Sequence, residues 1–114
     1  MRARGIQWMT ALAALVAASG CARHTTAAPG TRAYSDAALQ RGRQIYAREC
    51  AACHGPQGAG TQIAPTPLRN IAARRTFGSV RAVVLDPRPP MPKLYPSRLT
   101  RGQVDDVSAY VENL

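Results

Sequence analysis

The chain has 114 residues, a formal net charge of +9, nine glycines, nine prolines and only 5% aromatic residues. That length excludes a large multidomain enzyme and a polytopic membrane protein. It allows one small core, and small cores usually depend on a staple such as a disulfide, a metal or a cofactor.

Met1 to Gly20 reads as a targeting segment. Met1-Arg-Ala-Arg-Gly-Ile-Gln is a short basic region, and Trp8 to Ala18 is a mostly apolar run. The run falls short of the about 20 apolar residues that span a bilayer, so removal after export is expected in preference to an uncleaved anchor. Ala17-Ala18-Ser19-Gly20-Cys21 places small residues before a cysteine. It resembles the lipobox of bacterial lipoproteins, although Ala18 stands where Leu is usual. That resemblance makes Cys21 the lipidation site and predicts a membrane-tethered protein on the periplasmic side. The competing reading is a spare thiol near a cleavage site. Export also separates the positive charge from nucleic acid, which is therefore not an expected partner.

Residues 21–34 are small and polar, broken by Pro29 and Gly30, and read as a flexible tether that includes a solvated His24. Residues 35–114 are the expected folded domain. Ser35 can cap a helix, with Asp36 favourable at its positive end. Leu39, Gly42, Ile45 and Tyr46 recur at helical spacing, and this helix is expected to run into Cys50-Ala-Ala-Cys-His54. Gly42 inside it costs about 1 kcal/mol against Ala, which points to close approach by another backbone.

Gly55 to Pro67 reads as loop, Leu68 to Ala73 as a short helical turn, and Ser79 to Leu85 as a short helix stopped by Asp86-Pro87. Arg88-Pro-Pro-Met-Pro-Lys93 is too proline-rich for regular structure. Thr100 to Leu114 is the clearest helix. Thr100 and Gln103 match a capping box, and Val104, Val107, Tyr110 or Val111, and Leu114 form an apolar stripe. No strand pattern is present, so the expected fold class is all-α, with three to five short helices.

The Cys50–Cys53 pair has several chemistries open to it. Thiol–disulfide exchange normally sits beside a strand–helix unit, which is missing. Structural zinc wants four ligands with a second ligand pair, also missing. A plain disulfide remains. His54 directly after Cys53 shifts the balance, because Cys-x-x-Cys-His reads as a c-type haem attachment site. Residues three and four apart on a helix share a face. Cys50 and Cys53 can thus meet two neighbouring vinyl groups of one porphyrin edge, and His54 can turn below its plane toward iron. Met91 is the only methionine outside the targeting segment. Its neighbouring prolines limit the entropy lost in presenting a sulfur as the second axial ligand. The alternative for Met91 is a core filler.

Together these residues resemble the class I c-type cytochromes of the small bacterial monohaem kind. The resemblance covers roughly Ser35 to Leu114 and is carried by Gly42-Arg-Gln-Ile-Tyr46, Cys50-Ala-Ala-Cys-His-Gly55, Asp86-Pro87, Pro90-Met-Pro92 and the last helix with Tyr110. It implies one covalently attached haem c and a close crossing of first and last helices at Gly42 and Tyr110. It also implies a proline whose carbonyl orients the ligand histidine, for which Pro65 is preferred over Pro67, and Leu68 against the haem. With no Trp beyond Trp8, Arg69, Arg74 and Arg75 are the candidates to serve the haem propionates.

The expected function is electron transfer between redox proteins, without an enzymatic activity or small-molecule substrate of its own. The arginines spread along the domain favour partners with acidic docking surfaces, an attraction that salt weakens. The other readings are a haem enzyme or gas sensor with a displaceable methionine, and a fixed subunit of a larger oxidoreductase.

Overall fold

The computed structural model describes residues 33–114. The targeting segment, Cys21 and nearly all of the tether therefore lie outside the described residues. Helix α1 spans Asp36–Glu49, and the Ser35 hydroxyl accepts the Ala38 N–H at 3.2 Å, as its cap position predicts. The helix does not run through the cysteine pair. It ends at Cys50, and a separate one-turn helix, α2, spans Ala51–His54. Cys50, at φ −120°, ψ −37°, joins the two: its N–H donates to the Tyr46 carbonyl at 2.9 Å as the last bond of α1, and its carbonyl starts a new turn by accepting the His54 N–H at 2.9 Å. Apolar periodicity is insensitive to such a break, because the phase of the helix changes at one residue only.

Beyond α2, a 3-10 turn at Pro56–Gly58 interrupts the expected loop, and a second at Ile71–Ala73 is shorter than the turn expected over residues 68–73. Helix α3 spans Phe77–Leu85, starting two residues earlier than predicted. Thr76 caps it by accepting the Ser79 N–H at 3.3 Å. Helix α4 spans Arg101–Glu112 with both bonds of the capping box formed: Gln103 N–H to the Thr100 hydroxyl at 3.3 Å and Thr100 N–H to the Gln103 side chain at 2.8 Å. No strand occurs among the described residues, so the fold is all-α as expected. None of their helices is long and apolar enough to cross a membrane.

Helix α4 supplies more of the core than any other element: Val104, Val107 and Val111 are buried against Ile45 and Tyr46 of α1, Val80 of α3, and Ile71, Leu94 and Leu99 of the connecting segments. The α1–α4 crossing is close. A Cβ at Gly42 would lie 2.1 Å from the Asp106 carbonyl oxygen and 2.7 Å from the Tyr110 Cβ. Beside it the Tyr46 and Tyr110 rings pack with centroids 5.4 Å apart. Arg41 pairs with Asp106 at 2.7 Å across the same contact, and Arg81 of α3 pairs with Asp105 of α4. Tyr34, read from sequence as the end of the tether, is docked: its hydroxyl donates to the buried Glu112 and its ring packs on Phe77 at 5.6 Å.

Candidate functional site

Three local devices shape the Cys50–His54 turn. Gly55 closes α2 at φ +76°, a left-handed conformation that a side chain resists, and a Cβ there would sit 2.7 Å from the Gly60 carbonyl. The Tyr46 hydroxyl donates to the Gly55 carbonyl at 2.8 Å, tying the turn back onto α1. Thr61 donates to the Cys53 carbonyl and accepts the Ile63 N–H at 3.1 Å, while Gly60 N–H donates to the His54 carbonyl at 2.8 Å. The following loop is thus stitched onto the turn. Thr61 escaped the sequence reading; its signal was a hydroxyl two residues before Ile63, the spacing of a local side-chain turn.

Cys50, Cys53, His54, Pro65, Leu68 and Met91 all line one cleft of about 480 Å3. An adjoining cavity of about 170 Å3 shares Cys50, His54, Leu68, Ile71, Arg75 and Met91 with it and is otherwise mainly apolar, walled by Val80, Val84, Val107 and Val111. Met91 sits in a short turn whose N–H donates to the Arg88 carbonyl at 3.1 Å, between Pro90 and Pro92. Residues 37 positions apart in the chain, His54 and Met91, therefore share one slot.

The chemistry of the lining suits a flat, mostly apolar group carrying a metal. Both cysteines are free thiols. Burial first, then the Glu49 carboxylate and Cys53, push the Cys50 thiol up to about 11, so it is protonated at neutral pH and ill suited to thiol–disulfide exchange. Burial lowers His54 below the ordinary imidazole value, which keeps the ring neutral and its lone pair available. The His54 Nδ1 atom is buried and makes no hydrogen bond. Such an orphan is costly in a purely structural role and is found where a site awaits a partner group.

The proline-carbonyl bond implied by the resemblance is accordingly not formed here. The Pro65 carbonyl lies close to Gly60, 3.0 Å from where its Cβ would be, and the Pro67 carbonyl instead accepts from Arg74 at 2.8 Å. Among the described residues no group of three or more His, Cys, Asp or Glu could hold a metal ion by itself. Residues 37–111 match the model of the family described as cytochrome C oxidase, cbb3-type, subunit III.

Proposed function

The chain belongs to this cbb3-type cytochrome c family, whose domain carries a covalently attached haem c, and on that premise we propose that it passes single electrons between redox proteins. The observation that carries the reading is the sharing of one cleft by Cys50, Cys53, His54 and Met91. Bound there, haem c supplies one-electron chemistry at its iron. Cys50 and Cys53 would hold it through thioethers, and His54 and Met91 would be its axial ligands. Leu68, Ile71, Val80 and Val107, which line the adjoining cavity, would exclude water from it. The stitched turn holds His54 and the prolines brace Met91, so the chain itself would keep both side chains in position for the iron. Met/His ligation leaves no open position for oxygen chemistry, which favours a carrier over a gas sensor or haem enzyme.

The location belongs to the same proposal: the periplasmic side of a bacterial membrane, tethered through acylated Cys21. Its support is the basic and apolar run of Met1 to Gly20 and the small residues leading to Cys21. The arginines spread along residues 35–114 support partners with acidic docking surfaces. A second reading, a fixed subunit of an oxidase rather than a mobile carrier, is favoured by the description of the matched family. Co-purification of the chain with an oxidase from native membrane separates the two.

An optical spectrum of protein made with haem-attachment machinery tests the core of the proposal. The expected product is red, low-spin and covalently loaded, with a weak near-infrared methionine–iron band and no carbon monoxide binding when reduced. Met91→Ala removes that band and admits carbon monoxide while the haem stays attached. A colourless wild-type product refutes the reading.

A further inference from the structure

A haem in this cleft brings two propionate carboxylates on the porphyrin edge opposite the thioethers. Carboxylates next to an apolar wall are stable only when paired with donors. The cleft lining supplies three cations, Arg74, Arg75 and Arg88, against one carboxylate, Glu49. Glu49 is engaged by Arg98 at 2.8 Å. Arg74 is partly engaged as well, donating to the Pro67 and Arg69 carbonyls at 2.8 and 3.2 Å. Among the described residues, the Arg75 and Arg88 side chains make neither an ion pair nor a hydrogen bond. Arg75 borders both adjoining cavities. Arg69, a candidate from sequence, is excluded: it lies in a separate hollow beside Tyr110 and donates to the Gln57 carbonyl at 3.3 Å.

We propose that Arg75 and Arg88 receive the haem propionates, and that Arg88 is a positioning residue for Met91. The inference rests on haem occupying the cleft. Its second part follows from the turn at residues 88–91, where the Arg88 carbonyl accepts the Met91 N–H at 3.1 Å. A guanidinium held by a propionate fixes the start of the turn that presents the sulfur. Guanidinium suits the task because its fork pairs bidentately with a carboxylate. Neutralised propionates also favour the reduced haem, since uncompensated negative charge stabilises the more positive iron.

The test compares Arg75→Gln, Arg88→Gln and Arg69→Gln holoproteins, each lacking one positive charge, by redox titration in about 1 M salt, where a Debye length of about 3 Å screens the general field. Arg75→Gln and Arg88→Gln are each expected to raise the oxidised-to-reduced ratio about threefold at fixed ambient potential, a fall of about 28 mV for a one-electron couple. Arg69→Gln is expected to change nothing. Resonance Raman of the reduced proteins should show the propionate bending band displaced in the first two variants only, and absorption spectra of the oxidised proteins should show the near-infrared methionine band weakened in Arg88→Gln only. Should one variant fail to accumulate, the other and the Arg69→Gln control still decide the propionate assignment. Equal shifts in all three, or none, with haem attached, overturn the arginine assignment alone. A wild-type product without attached haem overturns both this inference and the reading beneath it.

Discussion

Tyr46 shows how much one side chain can contribute to the site. It is 2% exposed, packs on Tyr110, and donates its hydroxyl to the carbonyl of Gly55 at the end of the attachment turn. Burial raises its ionisation above that of a free phenol. In the unfolded chain the phenol ionises near about pH 10, and in the folded chain only at higher pH. The unfolded state therefore loses its proton first, and the contribution of Tyr46 falls as pH rises through that window. Wild-type holoprotein is expected to be more stable than Tyr46→Phe at pH 7 and to lose that advantage progressively as pH rises above the free phenol value of about 10. Melting temperatures of the two proteins across pH check it; a constant difference refutes it. The motif Cys50-Ala-Ala-Cys-His54 was legible at this scale because its chemistry is local. The Tyr46–Gly55 bond and the clamp by Thr61 were not, because each needs the chain to fold back on itself.

Among elements, the crossing of α1 and α4 is the contact most sensitive to one atom. Alanine normally improves on glycine in a helix by up to about 1 kcal/mol. At Gly42 the sign reverses, because the added carbon would meet a backbone carbonyl at 2.1 Å, which can yield only by separating the helices. Gly42→Ala is expected to destabilise the holoprotein by about 2–3 kcal/mol and lower Tm by about 10–20 °C. Gly102→Ala on the same α4, with nothing within 4 Å of its would-be Cβ, should leave Tm unchanged or raise it. Comparable melts for the two variants would show that the crossing is looser than described. Helix starts were well marked in sequence where a side chain caps them, as at Ser35 and Thr100. Thr76 caps α3 in the same manner, yet Phe77 and Gly78 behind it lack the apolar spacing that announces a helix, so the sequence pattern begins only at Ser79. The break at Cys50 left no mark, because neither glycine nor proline produces it.

For the molecule as a whole, the apolar interior is thin. Val104, Val107 and Ser108 are its largest fully buried side chains, and none is bulky. Leu68 and Met91 are only partly buried, and both line the cleft beside that interior. Such a core stabilises too little to offset the ordering of the chain. Haem-free protein, made as the Cys50→Ala, Cys53→Ala double variant, is therefore expected to be largely unfolded. Circular dichroism on heating would test this, and a cooperative melt would show that the chain folds without its cofactor. The all-α class was legible from periodicity alone, since no alternating pattern competes with it. The membership of Arg88 in the cleft was not, because only the folded proline loop brings it beside Arg75.

The ion pair between Lys93 and Asp86, at 2.9 Å, joins the two ends of that same loop. Lys93 is the sole lysine among fourteen arginines in the chain. Amine-directed chemistry therefore has one side chain to modify, and it stands two residues from Met91. A fluorophore attached there would have its emission quenched by the nearby pigment to a degree set by their separation. The protein thus comes with a built-in position for an optical ruler on its sulfur-bearing loop, readable without introducing a new cysteine that would compete with the attachment pair.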